Sequence, residues 1–525
     1  DPDSDQNGWF YMFGTSDATL GVRGYTCWRS KDLTHWENYS AIVGFPAFFP
    51  SDDHFGFEDY WAPEVVYDPD DGLYYMYYSC TATGTTHYVM GLAVASEPYG
   101  PYLPYEDETH DASTPFFDQE QMMARVAENE KTSCFETIDP HPYIAPDGQK
   151  YLYFVRDKDD HMSRTHIWGM RMNSWTDPDY STLTKLTKTG YYTVDGDEMT
   201  PYEGTDNSIN EGPFIYESKQ ADGSYRYYLT LSINGYRDKT YSVVQAVGDS
   251  PLGPFTKLKQ EDGGVLLGTD DQKFDHISGP GHHSFVRVDD ELFIVYHEHL
   301  DREKGDSQRA AAIDRVSLTK NGKGEEVMYV SGPTWSLLPK PGNYGTYKNI
   351  AQDATVTADT GRNVEALTDN MLTIYSYISY VKEFEADGKA TITMTFPDYR
   401  EVTGLMVFNS KEFAHTFMNV SRVELDFKDE AKGVSGTAYV NDLAFNWDFY
   451  KTPGIQQMRP GGSAVALFKP MLVKSIRITV DPNVSRITLD EDGFEDTSLA
   501  LVDPVTADIL QQTTVAVSEI AILGK

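Results

Sequence analysis

One phrase returns five times in the first two thirds of the chain and limits what it can fold into. A head residue opens a short apolar strand, a turn follows, and then comes a strand crowded with tyrosine and other aromatic residues. The phrase is clearest as Asn210-Glu211-Gly212-Pro213-Phe214-Ile215-Tyr216 ahead of Tyr225-Arg226-Tyr227-Tyr228-Leu229. Other copies contain Asp1-Pro2, Trp61-Ala62-Pro63-Glu64, Ile138-Asp139-Pro140-His141 and Gly281-His282-His283. The heads Asp1, Glu64, Asp139, Glu211 and His282 are 63, 75, 72 and 71 residues apart. That period accommodates a four-stranded antiparallel blade with its loops, so five copies read as a five-bladed β-propeller. The innermost strands of a propeller line its central channel, so equivalent heads converge on one pocket rich in carboxylic acids.

From Asp1 to about residue 345 the text is all-β: short alternating or aromatic runs punctuated by turns such as Pro69-Asp70-Asp71-Gly72 and Ala145-Pro146-Asp147-Gly148. Sustained helical periodicity is absent. The segments around 103–136 and 186–208 read as long loops, the former lying over one face and both placed to close one end of the channel. A Pro/Gly-rich stretch from Gly332-Pro333 to Pro341-Gly342 marks a boundary. Beyond it, alternating strands such as Ala390-Thr391-Ile392-Thr393-Met394-Thr395-Phe396 suggest a β-sandwich of jelly-roll type. The expected organisation is a propeller over residues 1–345 and a sandwich over 346–525.

Charge narrows the partners. With Lys+Arg 43 against Asp+Glu 81, the 525-residue chain carries a formal net charge of −38, which repels a phosphate backbone and argues against nucleic acid. A neutral sugar is compatible with that field, and 36 Tyr and 26 Phe suit both half-buried strands and stacking on sugar rings. Three cysteines allow at most one bridge, and no apolar run reaches the roughly 20 residues needed to span a bilayer. The chain opens in the middle of the first phrase with no initiator Met and no export signal, which reads as a trimmed sequence.

Cleaving a glycosidic bond takes an acid on the leaving oxygen and a second carboxylate on the opposite face; a separation of about 6.5–9.5 Å admits a water and inverts the anomeric centre. Asp1 and Glu211 belong to units nearly across the ring from each other, with Asp139 between them along the chain. A third carboxylate beside the acid raises its pKa by like-charge repulsion. Glu211 is therefore expected as acid, Asp1 as base and Asp139 as modulator. Glu64 reads equally as a blade-start structural residue. His282, the one non-acidic head, is a candidate to coordinate a cation through waters or to hold a substrate hydroxyl. Arg309 is a candidate for a substrate hydroxyl, and Trp61 for a sugar platform.

Taken together, Asp1-Pro2, Ser30-Lys31-Asp32-Leu33 with Trp36, Trp61-Ala62-Pro63-Glu64, Ile138-Asp139-Pro140, Glu211-Gly212-Pro213 and Gly279-Pro280-Gly281-His282 resemble glycoside hydrolase family 43. That family of five-bladed propellers includes β-xylosidases, α-L-arabinofuranosidases and arabinanases. The resemblance implies single-displacement hydrolysis with Asp1, Asp139 and Glu211 in the roles above, and His282 near a calcium ion. The C-terminal region is similar to a discoidin-like (F5/8 type C) carbohydrate-binding module, through Asn349-Ile350-Ala351, Ala366-Leu367-Thr368-Asp369-Asn370 and Ser518-Glu519-Ile520, a family that often holds a structural calcium. The implied activity is exo-acting release of terminal α-L-arabinofuranosyl or β-D-xylosyl units from plant cell-wall polysaccharide, by a secreted, periplasmic or cell-surface protein. An endo-arabinanase, a galactan-acting hydrolase and a non-catalytic carbohydrate-binding propeller are the alternatives.

Overall fold

The computed structural model describes residues 8–15, 23–159, 164–189, 193–194, 197–198, 209–269, 277–300, 308–334, 336–342, 347–440, 443–445, 461–482, 486–489, 492–499 and 514–525. Asp1 lies outside the described residues, as does most of the 186–208 segment.

The first part is a five-bladed β-propeller built from five successive antiparallel sheets. Blade one shows three described strands, Phe10–Phe13, Cys27–Ser30 and Glu37–Asn38. Blade two runs Gly56–Asp68, Leu73–Ala82, Tyr88–Ala95 and Leu103–Pro104. Blade three runs Glu136–Ile144, Lys150–Asp157 and His166–Ser174, with two short strands on its outer edge. Blade four runs Asn210–Lys219, Tyr225–Ile233, Ser242–Gly248 and Thr256–Lys257, and blade five Gly281–Val288, Glu291–His299, Arg309–Lys320 and Glu326–Val330.

The aromatic strands are the second strands of their blades, and burial explains their composition. Tyr74 to Tyr78 and Tyr151 to Val155 are all buried, because a middle strand is covered on both faces by neighbouring blades. The 103–136 segment is largely an exposed loop, as expected, but a few of its side chains anchor it inward. Phe116, Phe117, Met122 and Phe135 enter the core shared by blades two and three, against Tyr77, Leu152, Trp168 and Trp175. Within it lies the helix Gln119–Met123, capped by Asp118, whose side chain accepts from the backbone N–H of Glu120 and Gln121. Among the described residues, no helix is long and apolar enough to cross a membrane.

By internal contacts the chain divides into two units, Asp1–Lys259 with Gly281–Ser284, and Gln260–Pro280 with Phe285–Lys525. In the second unit a nine-stranded antiparallel sheet follows blade five. Two 20-residue strands, Ala390–Asn409 and Ser463–Pro482, form its spine and bend at register shifts near Thr395 to Gly404. Before the bend, Ile392, Met394 and Phe396 alternate into a core with Ile476, Ile478 and Val480. After it, Leu405 and Val407 continue on that core while Met406 and Phe408 face a second cluster with Leu372, Ile374 and Tyr375. This two-faced burial is why the sequence is apolar at consecutive positions there.

Candidate active site

Three of the inner strands carry the same irregularity. The pairing of blade two skips between Trp61 and Glu64, that of blade three between Ile138 and His141, and that of blade four between Glu211 and Phe214. At each skip one residue is left-handed: Ala62 at φ 44, Asp139 at φ 54 and Gly212 at φ 54; His282 in blade five takes the same conformation at φ 43. A bulge needs no ladder N–H at its next position, so proline follows in three of the four, as Pro63, Pro140 and Pro213. The equivalent channel positions are therefore Ala62, Asp139, Gly212 and His282. This corrects the sequence register in two blades: Glu211 stands one residue before its left-handed position and Glu64 two residues after. The spacing of heads is a poor guide at single-residue precision because the bulge inserts a residue without changing the look of the phrase.

A left-handed conformation costs a non-glycine residue on the order of 1–3 kcal/mol and persists only where its surroundings hold it. Hydroxyls from the preceding blade do so here. Ala62 N–H donates to Thr15 Oγ1 at 3.2 Å, Asp139 N–H to Ser79 Oγ at 3.0 Å, and His282 N–H to Ser232 Oγ at 2.8 Å. Blade four differs: Gly212 N–H donates to the side chain of Asp139, with Oδ2 at 3.0 Å. Asp139, itself buried, is thus bonded to the peptide that joins Gly212 to Glu211.

Glu211 is oriented from the other side. The Tyr241 hydroxyl donates to Glu211 Oε1 at 2.6 Å. Burial, and then the Glu211 carboxylate, hold that hydroxyl well above the ordinary tyrosine range, so it remains a donor. Room for the Tyr241 ring comes from Gly281, where a Cβ would lie 2.0 Å from the ring. Gly212 is held less tightly by space, since a Cβ there would meet the His282 ring at 3.2 Å, but it also carries the left-handed φ of 54. The two glycines in Glu211-Gly212 and Gly281-His282 are packing requirements of the site.

Beneath these residues lies a buried polar layer. His141 Nδ1 and Glu64 Oε2 are 2.7 Å apart, joining blade three to blade two. The His141 ring stacks on Phe214 with centroids 4.0 Å apart. Thr230 Oγ1 donates to Phe214 O at 3.0 Å and lies 2.6 Å from His283 Nε2. Burial, then the His282 and His141 charges, keep His283 well below the usual histidine range, so it is neutral and donates through Nε2.

Trp61 packs against Tyr88, ring centroids 5.0 Å apart, with Lys158 Nζ 5.0 Å from the Tyr88 ring and 2.8 Å from Glu136 Oε2. Arg309 belongs to the second unit, where it opens the third strand of blade five with its guanidinium 3.3 Å from His297 Nε2. Ser79, Tyr241 and the Glu64–His141 pair were not legible as site residues. Hydroxyls ending the aromatic runs Phe13-Gly14-Thr15, Tyr77-Tyr78-Ser79 and Thr230-Leu231-Ser232 were the available signal.

The chain has known relatives. A family model for glycosyl hydrolases family 43 matches residues 2–323. The chain belongs to this family. It is a glycoside hydrolase, and curated relatives span several sugars. A β-D-galactofuranosidase of Aspergillus niger is 23% identical over 332 residues, 60% of this chain and 78% of its own. A β-xylosidase of Xylanibacter ruminicola is 25% identical, covering 46% and 69%. An extracellular endo-α-(1→5)-L-arabinanase of Thermotoga petrophila is 28% identical, covering 47% and 48%.

Donors for a cation in this family 43 hydrolase are of two kinds. Among the described residues no group of three His, Cys, Asp or Glu side chains is set for a metal, so an ion at His282 would be held mainly by water. In the C-terminal sheet, Glu519 Oε1 is buried without a partner while Asn370 N–H reaches Oε2 at 3.2 Å. Burial, then the Asp369 charge, push Glu519 well above the carboxylate range, and burial pushes Asp369 up to about 6. These are two carboxyls only, with the Arg315 charge also acting on Glu519, so a cation there would need backbone oxygens or water to complete its shell.

Proposed function

We propose that this protein is an inverting, exo-acting hydrolase that releases terminal α-L-arabinofuranosyl or β-D-xylosyl units from plant cell-wall polysaccharide outside the cytoplasm. Glu211 is the general acid, Asp139 its modulator and Asp1 the base. The observation that carries the reading is the bond from Gly212 N–H to Asp139 Oδ2, which ties a second carboxylate to the residue next to Glu211. In that position the Asp139 charge favours the protonated form of Glu211, as an acid catalyst requires. Tyr241 commits one carboxyl oxygen of Glu211, which fixes the plane from which the proton is delivered. Water activated by Asp1 attacks the anomeric carbon as Glu211 protonates the departing oxygen, so configuration inverts.

Exo action is supported by two relatives named as single-sugar glycosidases, and an extracellular location by the name of the third. Trp61 and Arg309 are assigned to sugar binding. The C-terminal region is assigned as a discoidin-like carbohydrate-binding module. Calcium is assigned to the His282 side of the channel, held through water, and to Asp369 and Glu519 in the C-terminal region; no step of the reaction passes through it.

The test is the sugar released from arabinan, arabinoxylan, xylan and arabinogalactan, resolved by chromatography, for the unmodified protein beside Glu211→Gln. A single monosaccharide from the unmodified protein alone supports the reading and names the sugar. Oligosaccharides as first products would replace exo by endo action, as in the arabinanase relative. Retained polysaccharide binding with no product from any substrate would sink the catalytic assignment.

A further inference from the structure

Three of the four left-handed channel residues have their N–H groups taken by a hydroxyl from the preceding blade, and the fourth does not. The register shows why. Ser79 lies opposite Trp61, the residue before Ala62, and Ser232 lies opposite Glu211, the residue before Gly212. Each hydroxyl therefore occupies the same place on the second strand of its blade, and each reaches forward to the left-handed residue of the next blade. In blade three the residue at that place is Val155, opposite Ile138, the residue before Asp139. Val155 is fully buried and carries no hydrogen-bonding atom. The hydroxyl that would take Gly212 N–H is missing, and the Asp139 carboxylate takes it instead.

We propose that Val155 is a positioning residue for the hydrolytic reaction: by withholding a hydroxyl at a place where the fold otherwise supplies one, it commits the Asp139 side chain to the backbone beside Glu211. This rests on the catalytic reading above. A buried N–H takes an acceptor wherever one is in reach, because leaving it unpaired is costly. A hydroxyl on the preceding blade would satisfy Gly212 locally, as Ser79 satisfies Asp139, and would leave the carboxylate without the bond that fixes its distance from Glu211. A hydrophobic side chain at 155 removes that competitor. The aliphatic residue acts through what it denies to the backbone, and its role is invisible to any search for polar or titratable groups.

The experiment compares two substitutions in the full chain. Val155→Thr is close to isosteric and adds the hydroxyl; Val155→Ala removes volume and adds nothing. Thermal unfolding, kcat and KM are measured for both, and the crystal structure of Val155→Thr is solved. If Val155 positions Asp139, the hydroxyl introduced by Val155→Thr lies within hydrogen-bond distance of Gly212 N. Melting is then close to that of the unmodified protein, and kcat falls by roughly tenfold or more with KM little changed. Val155→Ala is expected to melt several degrees lower through its cavity and to lose much less kcat than Val155→Thr, because it brings no competing hydroxyl. The opposite pattern overturns the proposal: Val155→Thr retaining full kcat, or losing stability with the new hydroxyl turned away from Gly212, makes Val155 a packing residue only. Failure of the catalytic reading itself shows separately, as an unmodified protein that hydrolyses none of the four polysaccharides.

Discussion

Asp139 Oδ2 stands 3.0 Å from the backbone nitrogen of Gly212, and through that single bond the carboxylate of one blade meets the strand that bears Glu211 in the next. Gly212 serves this contact twice. Its left-handed backbone, φ 54, aims the N–H at Asp139, and its bare α-carbon lies against the His282 ring. Gly212→Ala is expected to lower stability by about 1–3 kcal/mol and kcat by on the order of a hundredfold, because strain and the 3.2 Å approach to His282 act together. Denaturant unfolding and steady-state kinetics on the released sugar check both.

Tyr241 holds Glu211 from the other side. A hydroxyl that donates to a carboxylate favours its ionised form. Tyr241→Phe removes the donor from Glu211 Oε1, so Glu211 keeps its proton to higher pH. The alkaline limb of kcat/KM is expected to move upward, by up to about one pH unit. A pH–rate profile of the variant beside the unmodified protein measures it.

The Glu64–His141 pair joins two blades below the channel, and His141 is almost wholly buried. His141→Phe keeps the stack on Phe214 and strands the Glu64 carboxylate, at an expected loss of about 1–3 kcal/mol. The double variant Glu64→Leu/His141→Phe should recover part of that loss in urea unfolding, because both partners then become apolar.

Glu298 makes stability depend on pH. Burial, then the Asp314 carboxylate, push it up from 4.5 to about 7, and its Oε2 is buried with no partner. Between those values the folded protein holds a proton that the unfolded chain has released, so this group's contribution to stability falls as pH rises from about 4.5 to about 7. The expected loss is about 1–3 kcal/mol. Glu298→Gln should flatten the curve, measured as urea midpoints across that pH range.

The Glu519 and Asp369 carboxyls give the cation assignment a readout independent of catalysis. If calcium binds there, a chelator lowers the melting temperature of the unmodified protein by several degrees, through loss of binding to the native state. Glu519→Gln is expected to show a smaller chelator-dependent shift than the unmodified protein, the remainder coming from the ion assigned near His282.

The repeat made the propeller legible, because the aromatic strand of each blade leaves the same compositional mark five times, most plainly where it is buried on both faces, as in Tyr74 to Tyr78 and Tyr151 to Val155. The phrases around Asp139 and Glu211 were legible for a related reason, since a proline marks each bulge; that Glu211 stands one residue earlier relative to its bulge than Asp139 does was not. Residues 103–136 are largely the exposed loop expected, but the inward anchoring of Phe116, Phe117 and Met122 was not legible, because they are spaced irregularly and only the blade two and blade three surfaces show what they fill.

Local sequence thus determined the period, the strand order within each blade and the chemical types placed at the channel. Which atom meets which was decided by tertiary structure alone. Asp139 and Gly212 are neighbours across a blade boundary, as are Glu64 and His141, and Ser232 and His282. A one-residue bulge shift moves a side chain to the opposite face of its strand, so positions that look equivalent in a repeat differ in what they touch. Val155 carries this furthest: an unremarkable valine in an apolar strand acquires its meaning from the three hydroxyl-bearing positions that the fold aligns with it.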